Sequence, residues 1–272
     1  MISFSVLLSV YIKEDPEYLN QSLKSILAEQ SVVPSEVIII KDGKLTKELE
    51  KVLGKYATDY SSIIKIFGYE INQGLGYALN YGLNKCNNEI IFRMDTDDIS
   101  SKDRFKIQLK EFKANNSLVI IGSNIEEFNN TPGDLKLNRN VPLTSNDIDN
   151  KKYKRNPFNH MTVGFKKSII NKVGGYKDMP GYEDYYLWLR VLKEHKGFNI
   201  NENLVFARTG NDMIGRRQGF SFYKKEIKFQ NQLRKDGLIG SLNYFQNIVF
   251  RAFPRLLPKK ILKIIYINFL RK

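Results

Sequence analysis

Residues 92–100 read FRMDTDDIS and set three carboxylates, Asp95, Asp97 and Asp98, within four positions directly after an apolar run. Like charges this close each disfavour ionisation of the others, so the arrangement asks for a positive partner. An Asp-x-Asp pair suits a hard divalent cation. Mg²⁺ and Mn²⁺ favour carboxylate and phosphate oxygens, and Mg²⁺ commonly takes one or two protein carboxylates and leaves its other positions to a substrate phosphate. Such a cation acts as a Lewis acid toward a departing nucleoside diphosphate. Taken alone, the same residues describe equally well a solvated acidic loop that caps the next helix. A second acidic pair, Glu183 and Asp184, opens EDYYLWLR. One of the two could be a general base, or both could simply suit the positive end of a helix dipole. Arg208, Arg216 and Arg217 lie among glycines in RTGNDMIGRRQG (208–219). Guanidinium groups there could close over a diphosphate through bidentate contacts, and a solvated surface loop is the alternative. His160, in NPFNHMTVGF, could touch a sugar or the metal, although a lone histidine is more often a hydrogen-bonded structural residue. His195 reads as structural.

These side chains need elements to place them. FSVLLSVY (4–11) is a short β-branched and apolar run of the length of a buried strand. Asp15-Pro16 gives an N-cap with proline at the first helical position, and Leu19, Leu23, Ile26 and Leu27 follow at helical spacing, which predicts a helix over 16–30. EVIIIKDG (36–43) predicts a second strand ending in a turn, followed by a helix over about 45–57 and a third strand, SIIKIFGYE (62–70). A Gly-rich turn at Asn72 leads into a helix reaching Asn84. Then come a strand (89–95), a helix (102–115), a strand (118–128), a loop (129–134), a mixed strand and helix start (160–170) and a helix (181–195). Alternation of this kind predicts an α/β fold whose mostly parallel sheet is flanked by helices on both faces. Ligands in such sheets bind beyond the carboxyl ends of the strands, near the topological switch point. Ser9 to Tyr11, Asp42, Asn72 to Gly76 and Asp95 to Asp98 all fall at or just after predicted strand ends.

With 272 residues the chain has room for one large α/β domain or two small ones. We expect one continuous domain over 1–235, its nucleotide-binding part at about 1–128 and its acceptor part at about 129–235, with a basic amphipathic helical appendage over 236–272. A hydrophobic share of 42% against 26% charged residues excludes a disordered chain. One cysteine, Cys86, excludes an intrachain disulfide and suggests a reducing compartment. The first residues, MISFSVLLSVYIKED, lack the features of a signal peptide, and no apolar run approaches the roughly 20 residues of a membrane-spanning helix. The formal charge of +14 attracts anions. It concentrates in the tail, since residues 241–272 carry seven Lys/Arg and no acid among bulky Phe, Ile and Leu. That mixture fits an interfacial segment on an anionic membrane surface, or a helix packed on the domain or on a second subunit.

FSVLLSVYIKEDPEYLNQSLKSILAEQ, EVIIIKDG, NQGLGYALNYGL, MDTDD and GYEDYYLWLR, in that order over roughly residues 3–220, resemble glycosyltransferase family 2, more narrowly the bacterial enzymes that build O-antigen, capsule or exopolysaccharide. The resemblance implies a GT-A fold (Rossmann-like), an inverting mechanism and a nucleotide-diphosphate sugar donor, UDP-linked before dTDP- or GDP-linked. It implies that Ser9, Tyr11 and Glu14 lie along the nucleotide, that Asp42 meets the base, and that Asn72, Gly74 and Leu75 form the turn beside it. It implies that Asp95 and Asp97 serve metal and ribose, with Asp97 the direct ligand of Mn²⁺ or Mg²⁺ and Asp98 close by. Arg216 and Arg217 fall on the donor side, Asp98, His160 and Glu183 near the acceptor sugar, and Asp184 becomes the general base. Two positions depart from the family's pattern, Lys41 in place of an aspartate and Ala78 in place of a basic residue. These departures leave room for a non-catalytic paralogue. Family acceptors are commonly polyprenyl-diphosphate-linked glycans, which implies a cytoplasmic protein peripheral to the inner face of the bacterial cell membrane. A nucleic-acid-binding protein would need a basic groove with interleaved aromatics, whereas the strand-end edge here is acidic. A glycosidase using Asp95 and Asp184 as an acid/base pair would need no nucleotide.

Overall fold

The computed structural model describes residues 2–209 and 219–257. Four parallel strands come first, β1 (Phe4–Val10), β2 (Glu36–Asp42), β3 (Ile64–Tyr69) and β4 (Ile90–Arg93), in the spatial order β3-β2-β1-β4. Both faces of these strands are covered. Val6, Leu8 and Val10 of β1 and Val37 and Ile39 of β2 pack on Leu19, Leu23 and Ile26 of helix α1 (Pro16–Ile26), on Leu49 and Leu53 of α2 (Lys47–Asp59), and on Phe105 and Phe112 of α4 (Arg104–Ala114). The alternate residues Leu7, Ile38 and Ile40 face Leu79 and Leu83 of α3 (Leu75–Lys85) and Leu187 and Trp188 of α7 (Glu183–Val191). Burial on both faces is why these strands read as unbroken apolar runs and not as alternating ones.

Beyond β4 the sheet continues as β8 (Gly164–Lys166), β6 (Ile120–Phe128), β9 (Gly197–Arg208) and β5 (Ile99–Ser100), with β7 (Leu137–Arg139) pairing on β6. The expected mostly parallel sheet is present, with departures: β8 runs antiparallel between β4 and β6, β7 antiparallel to β6, and β5 antiparallel to β9. The helix expected over 102–115 starts two residues later because Ile99 and Ser100 are first recruited by Phe206 and Val205. Asp15 caps α1 by accepting from the amides of Glu17 (2.8 Å) and Tyr18 (3.3 Å). That helix ends at Ile26 and not near residue 30, since Gln30 turns back to donate to the Ser25 carbonyl (2.7 Å) and to that of Ser101 (2.8 Å). Two short helices, α5 (Ser145–Lys151) and α6 (Lys167–Lys172), connect β7, β8 and α7. After α8 (Phe220–Lys235) the chain turns through Gly237 (φ 64°) into α9 (Ser241–Asn247), so the boundary expected at 235 coincides with a helix end. Leu238 and Ile239 nevertheless share a core with Phe229 of α8 and Tyr182, Tyr185 and Leu189.

Gly164 marks where β8 squeezes against β4. A Cβ there would stand 2.3 Å from Phe92 Cε1, and the Phe92 ring is held by Phe4 and Phe105. Overpacking of this kind costs about 1–3 kcal/mol. Gly164→Ala is expected to lower the unfolding free energy by that much, seen in equilibrium urea unfolding as a lower midpoint with an unchanged slope.

Candidate active site

The chain leaves β3 at one edge and re-enters the sheet as β4 on the other side of β1, which makes the gap between β1 and β4 the switch point. Ser9 and Tyr11 stand at the end of β1, and Asp95, Thr96 and Asp97 follow β4. Glu14 joins them: burial, then the Asp97 charge, with Asp95 adding, raise its carboxyl to about 7 against an opposing Thr96 hydrogen bond. Burial, then Asp95, lift Asp97 to about 6. The positive charge that pairs with Asp95 is Arg93. Its side chain is 2% exposed, and it pairs with Asp95 through Nη2 and donates from Nη1 to the Leu7 carbonyl at 3.4 Å. Arg93, and for Asp97 also the charge of Arg208, do not prevent the carboxyls of Glu14 and Asp97 from rising, and the cluster's carboxylate ligand atoms are hard oxygens. This set fits Mg²⁺ or Mn²⁺. Among the described residues no set of three or more His, Cys, Asp or Glu side chains is arranged to hold a metal alone, so such a cation would complete its shell from a diphosphate and water.

Asp98, expected beside the acceptor, is instead buried at 2% exposure. Its Oδ1 accepts from the Arg208 amide at 2.8 Å, Oδ2 has no partner, and burial followed by the charges of Asp97 and Asp95 raises its pKa well above the ordinary value. Arg208, expected to reach phosphate, has its guanidinium committed elsewhere. Nε donates to the Asp97 carbonyl (3.1 Å), Nη1 to that of Asn129 (3.0 Å) and Nη2 to Gln21 Oε1 (2.7 Å), with the group lying over Tyr18 and Phe128. It ties the acidic loop to β9 and α1. Arg216 and Arg217 lie outside the described residues.

Asp42 closes β2 and organises the next turn. Oδ1 accepts from Tyr69 Oη (2.9 Å) and the Gln73 amide (2.7 Å), and Oδ2 from Asn72 Nδ2 (2.9 Å) and the Gly74 amide (3.1 Å). Four donors fill the acceptor capacity of a carboxylate, so the residue expected to meet a base holds the Asn72–Gly74 turn here. Gly74 has φ 89°, which L side chains rarely adopt. The turn delivers the start of α3 to Glu183, whose Cγ lies 3.3 Å from where a Cβ on Gly76 would be. Glu183 Oε2 accepts from the Gly181 amide (2.9 Å), and burial raises its pKa.

Asp184, one residue on, is held by Asn156, whose Nδ2 donates to Oδ2 at 2.6 Å. Beside it His160 Nε2 meets Tyr176 Oη at 3.0 Å, and the imidazole packs on Trp188. Burial, then Arg93, lower the His160 pKa, while Asp184 and Asp95 oppose them. The ring is therefore a neutral wall whose surroundings include both Asp95, on the β4 edge, and Asp184, on α7.

The sequence model of Glycosyl transferase family 2 matches residues 5–174. The chain belongs to that family. It is 40% identical over 270 residues, 99% of this chain and 97% of the relative, to the UDP-Gal:alpha-D-GlcNAc-diphosphoundecaprenol beta-1,3-galactosyltransferase of Escherichia coli. It is 36% identical over 267 residues, 97% of each chain, to the amylovoran biosynthesis glycosyltransferase AmsE of Erwinia amylovora. Among solved structures it resembles TarS 1–349 of S. aureus in complex with UDP-GlcNAc (TM-score 0.67, 17% identity, 99% of this chain and 74% of that one). It also resembles the mannosyltransferase PcManGT of Pyrobaculum calidifontis in complex with GDP-Man and Mn²⁺ (TM-score 0.68, 14% identity, 98% and 75%). At those identities the structures speak for the GT-A fold alone. The protein is a glycosyltransferase of the kind that builds bacterial polysaccharides.

Among the described residues, the positions expected from sequence lie at the ends of β1, β2 and β4, in the turn before α3 and at the start of α7, with Asp98 and Arg208 bonded to each other's strand and loop as part of the frame. Three members went unnoticed in the sequence. Arg93 carried a readable signal: an arginine in a buried strand, two residues before an aspartate and so on the same side of the strand, needs that carboxylate. Arg104 had no comparable signal. It is fully buried, donates to the Arg93 carbonyl (2.7 Å) and Gln108 Oε1 (3.1 Å), and burial lowers its pKa to about 9. Asn156, 28 residues before Asp184, had none either.

The raised carboxyl of Glu14 makes stability depend on pH. Between its unfolded value of 4.5 and its folded value of about 7 the folded chain holds the extra proton, so this contribution is present at low pH and fades as pH rises toward 7. In urea titrations without divalent metal from pH 5 to pH 8, wild-type stability is expected to decline, and Glu14→Gln to flatten that decline.

Proposed function

We propose that the chain transfers a hexose from a UDP-sugar, with inversion at the anomeric carbon, to a hydroxyl of a polyprenyl-diphosphate-linked glycan at the inner face of the bacterial membrane. The observation that supports this reading is that Asp184 and Asp95 both lie close enough to His160 for their charges to act on it, with Asp184 held by Asn156. A proton acceptor and a diphosphate-holding edge then face one space. The identity to the Escherichia coli enzyme over nearly its whole length makes UDP-galactose and a diphosphate-linked GlcNAc the first donor and acceptor to try. dTDP- and GDP-sugars follow.

The chain's own residues divide the work. Asn156 engages Oδ2 of Asp184 and leaves Oδ1 to take the acceptor hydroxyl's proton as its oxygen attacks the anomeric carbon. Attack from the α7 side, opposite the β4 edge where the diphosphate would leave, inverts the centre. Arg93 fixes the Asp95 carboxylate, and the Asp42-bound turn fixes the start of α3 beside Glu183. Neutral His160 and Trp188 close the floor and exclude water. Asp97 and Asp95 would hold Mg²⁺ or Mn²⁺, which would supply Lewis-acid neutralisation of the departing diphosphate.

Binding and transfer across a panel of UDP-, dTDP- and GDP-sugars, with and without Mn²⁺, test the reading. A UDP-sugar is expected to bind in the presence of metal, and Asp97→Ala to abolish that binding. Asp184→Asn is expected to keep donor affinity and lose about 10²- to 10⁴-fold in kcat. Failure of every nucleotide sugar to bind under any metal condition would sink the proposal and leave a non-catalytic paralogue.

A further inference from the structure

The segment after α8 is patterned inside out. A surface helix normally turns apolar residues inward and charged ones to solvent. From Ser241 the chain runs through α9, a π-helical turn (Ile248–Ala252) and a 3₁₀ turn (Phe253–Leu256). Three of its polar residues point in. Asn247 donates to the Tyr153 carbonyl (2.9 Å) and Gln230 Oε1 (3.0 Å). Arg251 pairs through Nε with the fully buried Glu226 (3.0 Å) and donates from Nη1 to Tyr185 Oη (3.1 Å), and Arg255 lies 3.7 Å from the same glutamate. Although burial alone would raise it, Arg251 and the donors Tyr182 and Gln230 bring the Glu226 carboxyl below its ordinary value. Six of its large apolar residues point out. Leu242 is 71% exposed and Phe250 76%, and Phe245, Val249, Phe253 and Leu256 are also exposed.

We infer that this row is a docking surface for an anionic lipid bilayer. Contiguous exposed apolar surface of this extent marks an interaction site, and bulky apolar side chains beside lysines fit the headgroup region of a membrane. The charge around the row selects the occupant. Phe253 adjoins Tyr223 of α8, whose ring stacks on Phe220, and the groove they border carries Lys224, Lys228 and Lys235. Arg251 and Arg255 are spent on Glu226, and residues 258–272 add five further Lys/Arg and no acid to the sequence; a basic group near an anionic membrane adds about 1 kcal/mol of attraction. Among the described residues no helix is long and apolar enough to cross a bilayer, so attachment would be at the surface. A second copy of the chain would bring the same positive charge against itself.

The row is joined to the catalytic centre through rigid parts. Glu226 accepts from Tyr182 Oη at 2.7 Å, and Arg251 holds Tyr185, so the docked segment is fixed to the two residues that flank Glu183 and Asp184. Contact with a bilayer would present the acceptor side of the site toward it. This inference rests on the proposed lipid-linked acceptor only for its purpose, since vesicle binding requires neither donor nor acceptor.

The test is sedimentation of the full-length protein with phosphatidylcholine vesicles, with or without phosphatidylglycerol, for wild type and for Phe245→Ser/Phe250→Ser. The wild type is expected to pellet with the anionic vesicles and to be released by high salt. The double variant is expected to lose at least tenfold in partitioning while keeping the wild-type rate on a short-chain, water-soluble acceptor. Unchanged vesicle binding by the double variant would overturn the inference. So would a wild-type dimer, seen by analytical ultracentrifugation, that the substitutions dissociate while anionic vesicles bind neither form. Vesicle binding without sugar transfer to any acceptor would leave the docking surface standing and remove the substrate assignment.

Discussion

The Arg93 guanidinium sits at the end of a buried strand, 1% exposed as a residue, and the acidic edge of the protein is arranged around it. A charge taken this far out of water costs several kcal/mol unless paired, and Asp95 supplies the pair. The bond holds the first carboxylate of the Asp-x-Asp against the sheet. Burial first, and then the neighbouring carboxylates, raise the pKa values of Asp97 and Glu14 beside it. The positive field of Arg93 reaches His160 as well and helps to hold it neutral.

Around that pair, each strand end is finished by a bond made far along the chain. Arg208, at the end of β9, clasps the Asp97 carbonyl and Gln21 and presents its amide to Asp98. Arg104, the first residue of α4, reaches back to the Arg93 carbonyl. Asn80 of α3 both donates to and accepts from the backbone of Tyr176 (2.7 and 2.8 Å), which docks α3 beside α7 and brings Glu183 to the Asp42 turn. The carboxylates at the surface of the site thus rest on a buried layer of polar groups. Satisfied networks of this kind rigidify their surroundings, which suits a reaction that depends on placing two substrates and one base.

The same device recurs at the C-terminal side, where buried Glu226 gathers Tyr182, Gln230, Arg251 and Arg255. Breaking one partner of a buried pair is costly, and that cost keeps the polar face of residues 241–256 inward at the expense of exposing phenylalanines. The helix bearing Asp184 lies between the two networks.

Much of this was legible in the residues alone, and what was legible is local. Apolar runs of strand length, Asp15-Pro16 before a helical repeat and a Gly-rich turn before another set the β-α alternation, and that alternation puts Ser9, Asp42 and Asp95 at strand ends. Short-range sterics and burial periodicity act over a few residues, so a sequence displays them. What only the tertiary structure decided involves partners chosen across long separations. These are the insertion of β8 antiparallel between β4 and β6, the recruitment of Ile99 and Ser100 by β9, the engagement of Asp184 by Asn156, and the consumption of Asp42 by the turn at residues 72–74. Asp97 and Asp98 are chemically identical neighbours in the chain. Asp97 lies in a turn, and the arrival of Arg208 110 residues later takes up Asp98 and buries it while Asp97 stays at the edge.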